Sequence, residues 1–102
     1  MYKRQSSARY KHGIEGYDAD DAYKFLEEAR PITFYSNTEG DDDQYIGFIA
    51  EEMAEVEPRY VTRLENGTPD GVQYASIVAT LTKICQLQEE RIALLEEKLN
   101  GA

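Results

Sequence analysis

One seam of side chains in the C-terminal quarter most constrains what this chain can fold into. The spacing along the seam alternates between three and four residues, which is typical of one face of a coiled-coil helix. Its members are Val78, Leu81, Cys85, Gln88, Ile92, Leu95 and Leu99. The sequence contains no second long helical pattern that could cover this face. We therefore expect several copies of the chain to associate in parallel through this helix.

The heptad pattern also bears on the number of copies. With Val78 at position a, Gln88 falls at a central d position, where a buried polar side chain lowers stability but favours one register and one copy number. Ile92 and Leu95 suit a dimer as well as a trimer. Ile77 and Ile84 widen the apolar stripe, which favours three strands or packing onto the globular body. We predict a trimer; the alternative is an amphipathic helix folded against its own domain.

Charge and cysteine content narrow the range of partners. The chain has 20 acidic and 11 basic residues, a formal net charge of −9, which argues against nucleic acid or an anionic membrane as a partner. Cys85 is the single cysteine, so no intrachain disulfide is possible and a reducing compartment is expected. It is expected to be a small core residue of the seam. No apolar run reaches transmembrane length, and the N-terminus lacks a signal-peptide pattern.

We expect neither a cofactor nor a metal ion. His12, the one histidine, has no cysteine, aspartate or second histidine at metal-ligand spacing and is interpreted as a polar tail residue. Residues 41–43 are three consecutive aspartates without the glycine and distal glutamate of a calcium loop. They predict a solvated turn, although an acidic loop could also contact a partner chain.

The predicted fold class is α+β, in a single domain that spans residues 1–102. Residues 1–15 form a loosely structured polar segment, 16–75 a small mixed body and 76–100 the long helix. Within the body we expect helices after Asp18 and over 50–56, with the first ending before Pro31. Its inward residues would be Ala22, Phe25, Leu26 and Ala29. The expected strands are 32–35, 45–49 (buried), 60–64 and a short one at 72–74.

Three separated stretches together resemble one family. They are Ala29–Phe34 (ARPITF), Tyr45–Met53 (YIGFIAEEM) and Gly71–Val78 (GVQYASIV). Their order and spacing are similar to those of the intramolecular chaperone auto-processing domain, which ends phage tailspikes and fibres of the endosialidase type and some neck appendage proteins. The resemblance implies a homotrimeric chaperone that helps an upstream stalk of the same polypeptide to fold.

The resemblance also implies a self-cleavage site. In that family an N-terminal SDxRxK element carries a serine and a lysine five residues apart, and Ser6 and Lys11 fit this frame. It implies Ser6 as the nucleophile, Lys11 as its partner and the scissile bond between Gln5 and Ser6. Ser7 stands where the family has aspartate, so it is a second candidate serine. Glu51 replaces the usual glutamine of the central signature.

The resemblance also implies the expected function. A lysine takes a proton from serine only when it is neutral, so Lys11 would need desolvation or nearby cations, which assembly could provide. The expected partners are further copies of the chain and the upstream stalk. Folding and release would occur in the host cytoplasm during virion assembly, with the parent protein in the virion tail. The alternatives are a non-catalytic oligomerisation domain and an adaptor whose acidic surface binds another protein.

Overall fold

The computed structural model describes residues 6–101 and has a mixed α+β architecture. The helices are α1 (Ala19–Glu28), α2 (Ala50–Val56) and α3 (Tyr74–Asn100), and the strands are β1 (Ile32–Tyr35), β2 (Gln44–Gly47), β3 (Val61–Arg63) and β4 (Pro69–Val72), with 3-10 turns at Ala8–Tyr10 and Pro58–Tyr60. The strands form two separate antiparallel pairs, β1 with β2 and β3 with β4. The predicted α+β class, with short strands and a long C-terminal helix, is therefore confirmed.

The core lies where α1, α2 and the first turns of α3 meet the turn at Pro58–Tyr60. Its buried apolar residues are Ala22, Phe25, Met53, Val56, Tyr60, Val61, Ile77 and Ile84. Phe25 packs edge-on against Tyr60, with ring centroids 5.5 Å apart. Each large apolar side chain buried here contributes about 1.5–3 kcal/mol. Among the helices of residues 6–101, none has the length and apolarity needed to cross a membrane.

Helix α1 begins and ends where the sequence predicts. The Asp18 side chain caps its N-terminus by accepting a hydrogen bond from the Asp21 backbone N–H at 3.1 Å, and the helix ends before Pro31. Ala22 and Phe25 face inward, but Leu26 is 47% exposed, so the prediction that Leu26 is inward was wrong. At about 100° per residue, Leu26 lies on the flank of the narrow face that a ten-residue helix buries.

The β1–β2 hairpin corrects a second expectation. The strand predicted as buried over 45–49 is the exposed strand β2, of which Gly47 alone is buried. The hairpin packs mainly on itself, with Phe34 stacked on its cross-strand partner Tyr45 at 5.6 Å. A β-forming apolar run predicts a strand but does not show whether another layer covers it.

Strand β3 is shorter than predicted, β4 lies earlier in the chain than the predicted strand at 72–74, and α3 is longer. The turn at Pro58–Tyr60 delays β3 to Val61, and β4 ends at Val72, paired with Val61. Tyr74 was expected in a strand but is the first residue of α3, which therefore begins two residues before the predicted start at Ser76. The helix has 27 residues, a length of about 40 Å.

Candidate functional site

The N-terminal segment, residues 6–16, contains a short turn organised by Ser7. The Ser7 hydroxyl oxygen accepts hydrogen bonds from the Arg9 backbone N–H and the Arg9 guanidinium, both at 3.3 Å. This places Ser7 at the N-cap of the Ala8–Tyr10 turn. Aspartate is also a favoured N-cap residue, so the Ser7 hydroxyl caps the turn as an aspartate carboxylate could at the same position.

The structure brings the two predicted catalytic residues together. The Lys11 amine donates a hydrogen bond of 2.7 Å to the Ser6 backbone carbonyl oxygen, and both side chains are exposed. Within residues 6–101 the amine has this carbonyl, rather than the Ser6 hydroxyl, as its hydrogen-bond acceptor. Gln5, the other half of the predicted cleavage site, lies outside the described residues.

All seven residues of the predicted seam are exposed in the single chain. The most exposed are Leu99 (81%) and Val78 (61%), and Leu81 is still 44% exposed. Cys85 and Gln88 are exposed as well. The seam is thus an uncovered apolar face that lies along most of α3.

A neighbouring face of the same helix is buried against the body. Ile77 and Ile84 are each 3% exposed and Thr80 is 1% exposed. Ile77 and Ile84 are the residues that widen the apolar stripe in the sequence, and here they pack onto the globular body. Helix α3 therefore has two adjacent apolar faces, one covered by its own chain and one uncovered.

Two glycines of the family-like motifs lie where a larger residue would crowd a neighbouring side chain. A Cβ at Gly47 would lie 3.0 Å from the Tyr74 hydroxyl oxygen and 3.3 Å from Phe34 Cε1. A Cβ at Gly71 would lie 2.7 Å from Thr62 Oγ1. The first glycine lets the hairpin approach the start of α3, and the second lets β4 pair with β3.

An ion pair joins two of the motifs. Arg30, from the first motif, donates to both carboxylate oxygens of Glu52 in the second, with an Nε–Oε1 distance of 3.0 Å. This hydrogen bond lowers the pKa of the Glu52 carboxyl below its usual value. The pair ties the residues before β1 to α2, so the first two motifs are in contact.

The sequence analysis missed a polar cluster at the junction of the N-terminal segment and α3. Tyr17, Tyr60 and Thr80 are joined by hydroxyl hydrogen bonds, and Arg59 lies over the Tyr17 ring at 5.7 Å. An open cavity of about 230 Å³ adjoins the cluster, lined by Tyr17, Glu57, Arg59, Tyr60, Ser76, Ala79 and Thr80. The one residue that could have indicated this cluster from the sequence is Thr80, a polar residue among the apolar positions of the helix.

The chaperone-of-endosialidase family, Peptidase_S74, matches residues 6–62. The match covers more than half of the chain, from the segment with Ser6 and Lys11 to strand β3. The chain belongs to this family, so the identification from the motifs is confirmed, and the family's description gives the chain a chaperone role. No match was found among curated proteins.

Proposed function

We propose that this chain is a C-terminal intramolecular chaperone that forms a homotrimer through α3. It promotes folding of an upstream phage tailspike, fibre or appendage stalk and then releases itself by cleavage between Gln5 and Ser6. The observation that carries this proposal is the uncovered apolar seam of α3 in a chain of this family. Its partners are two further copies and the stalk, with no nucleic acid or membrane. It acts in the host cytoplasm during virion assembly, and the parent protein enters the virion tail.

The physical role of the trimer is to reduce the entropic barrier to stalk folding. Stalks built from intertwined β-structure need contacts between distant residues of several chains before any stabilisation results. A trimer that forms first at the C-terminus holds the three chains in register and supplies those contacts at high local concentration. Removal of the chaperone afterwards leaves the folded stalk kinetically trapped.

The nucleophile that we assign is Ser6 rather than Ser7. The Ser7 hydroxyl oxygen is engaged as the cap of the Ala8–Tyr10 turn, which is the role that the family's aspartate can fill. The Ser6 carbonyl oxygen lies 2.7 Å from the Lys11 amine, so the lysine side chain reaches Ser6. These two contacts support a Ser6–Lys11 pair.

In the proposed reaction the Ser6 hydroxyl oxygen attacks the carbonyl carbon of Gln5. Neutral Lys11 takes the hydroxyl proton and returns a proton to the Ser6 nitrogen as the C–N bond breaks, which leaves Gln5 as an ester on Ser6. Water then hydrolyses the ester to give the Gln5 carboxylate and restores the Ser6 hydroxyl. Each chain reacts once.

Assembly is proposed to control when this reaction starts. A lysine acts as a base only when deprotonated, and its ordinary pKa of about 10.4 falls when the side chain is removed from water. Lys11 is exposed in the single chain. We propose that neighbouring chains cover Lys11 in the trimer, so that cleavage follows assembly.

The test uses the chain with its upstream stalk attached. We expect wild type to separate into two fragments, with the intact mass of the smaller one beginning at Ser6. Ser6→Ala and Lys11→Ala should remain full length while still forming the oligomer. Two controls should still cleave: Ser7→Ala, which removes the other candidate nucleophile, and Lys24→Ala, which removes a lysine of α1 outside the N-terminal segment. A wild type that assembles but stays full length contradicts the cleavage step.

A second candidate is a purely structural trimerisation domain that has kept the fold without the reaction. The observation in its favour is that Lys11 contacts the Ser6 carbonyl rather than its hydroxyl. The same experiment separates the two functions, because this candidate predicts full-length trimers from wild type and from both variants.

A further inference from the structure

Three hydroxyl groups connect the N-terminal segment to α3. The Tyr17 and Tyr60 hydroxyl oxygens lie 3.0 Å apart, and the Tyr60 oxygen lies 2.9 Å from Thr80 Oγ1. Thr80 in turn donates to the Ser76 backbone carbonyl at 3.0 Å. These contacts run from the residue before the α1 cap, through the turn at Pro58–Tyr60, to the helix.

Each hydroxyl group has one proton to donate, so the donor and the acceptor of each hydrogen bond in this series can be assigned. Thr80 donates its proton to the Ser76 carbonyl, so it must accept from Tyr60. Tyr60 then has no proton left for Tyr17 and must accept from it. Burial raises the pKa of the Tyr60 phenol above its usual value of 10.0, which keeps it protonated and able to donate. Tyr17 is therefore the first donor of the series.

Tyr17 directly follows the N-terminal segment and is hydrogen-bonded to the body. The hydrogen bonds that the structure shows for residues 6–16 all join residues within that segment. Arg59 holds the Tyr17 ring at 5.7 Å and is itself paired with Glu57 at 2.8 Å and Asp21 at 3.3 Å. The ring and the hydroxyl of Tyr17 are thus held by different partners.

We propose that Tyr17 is a positioning residue for self-cleavage. Through Tyr60 and Thr80 it fixes the end of the N-terminal segment relative to α3, so that the assembly of three helices also restricts where Ser6 and Lys11 can lie. This inference rests on the proposed function. It predicts that loss of the Tyr17 hydroxyl slows cleavage without disrupting the trimer.

The first measurement is the cleavage rate of the chain with its stalk, followed by intact mass. Tyr17→Phe keeps the ring under Arg59 and removes the donor, and Thr80→Val removes the acceptor at constant shape. We expect each to cleave roughly tenfold more slowly, since small misplacements of reacting groups have effects of at least this size. The double variant should be no slower than either single one, because both break the same series.

Two conservative variants serve as controls. Thr80→Ser keeps the hydroxyl and should restore the wild-type rate. Tyr35→Phe removes a hydroxyl from a 62% exposed tyrosine of β1 and should change nothing. All variants should form the wild-type oligomer by light scattering. Equal rates for wild type and Tyr17→Phe overturn the inference and leave the proposed function intact.

A second measurement does not depend on cleavage. Nitroxide labels at Ile14→Cys and Glu90→Cys, in a Ser6→Ala, Cys85→Ser chain diluted with unlabelled chains, report the distance from the segment to α3. We expect a narrow distribution that broadens about twofold in Tyr17→Phe and Thr80→Val but not in Thr80→Ser. Unchanged widths overturn the inference. A wild type that never cleaves, whatever the widths, overturns both the proposed function and the positioning role.

Discussion

The two halves of α3 belong to one continuous helix but differ in what surrounds them. In residues 74–87, the side chains of Ile77, Thr80 and Ile84 are buried against the body. In residues 88–100, every residue is exposed, although three leucines and an isoleucine lie there. The first half has one face on the body and leaves the seam residues Val78, Leu81 and Cys85 uncovered, whereas the second half has no buried residue to hold it against the body. The second half is therefore where the proposed oligomer would depend most on the seam.

The largest expected effect comes from a charge in the uncovered half. Leu95→Asp places a carboxylate at a d position, and burying an uncompensated charge in a helical interface prevents association. We expect light scattering to show a complete loss of the oligomer at micromolar concentration. Circular dichroism should show that the body remains folded, because residues 88–100 do not contribute to its core.

The matched control is Ala93→Asp, which puts the same charge on an exposed position outside the seam. It should leave the oligomer unchanged. Loss of the oligomer in both variants would mean that the seam is not the contact surface, and loss in neither would mean that the far half plays no part in assembly.

The next effect concerns the covered half. Ile84 is 3% exposed, so Ile84→Ala should lower the free energy of unfolding by about 2–5 kcal/mol. The comparison is made in the Leu95→Asp chain by urea denaturation, so that assembly does not contribute. Cys85→Ala, one residue away on the exposed seam, should change the unfolding free energy little. Equal losses from the two variants would remove the distinction between the faces.

A smaller effect is expected from the body's ion pairs at acid pH. The hydrogen bond from Arg59 lowers the pKa of the Glu57 carboxyl below 4.5, so the ionised form stabilises the fold above that pH. This contribution is lost as the pH falls through the lowered pKa, and for a surface pair it amounts to about 1 kcal/mol or less. Thermal melts of the Leu95→Asp chain should show a steeper acid loss than those of the same chain with Glu57→Gln. Parallel acid profiles would exclude this pair as a contributor.

The smallest effect lies at the rim of the seam. Arg91 at position g and Glu96 at the following e position would pair between parallel neighbours. Glu96→Gln should weaken the oligomer by about 0.5 kcal/mol or less, and more at low salt than at high salt. The dissociation midpoint on dilution measures this change. A large effect that is independent of salt would indicate a buried rather than an exposed pair.

Much of the local structure could be predicted from sequence, because it depends on neighbouring residues. Helix α2 has the predicted bounds, 50–56, and so does strand β1, 32–35. Features that depend on distant packing were not predictable. Leu26 lies just outside the face that α1 buries, and most residues of β1 and β2 are exposed. The Tyr17–Tyr60–Thr80 series joins residues separated by 43 and 20 positions, which no local pattern reports.

For the candidate site, the sequence motifs alone predicted the roles of Ser6 and Lys11 and identified the family. The hydroxyl and carbonyl contacts of Ser7 and Lys11 came from the structure, because turns of a few residues depend on side-chain acceptors that periodicity does not show. The seam was visible from spacing. The structure was needed to show that Ile77 and Ile84 pack against the body rather than belong to the seam.

Native mass spectrometry of the chain tests the central claim most directly. The account predicts an assembly of three copies, three times the 11.6 kDa mass of one chain, that is replaced by single chains in Leu95→Asp and retained in Ala93→Asp. A wild-type chain that is monomeric at micromolar concentration, or that forms assemblies unaffected by Leu95→Asp, would contradict it.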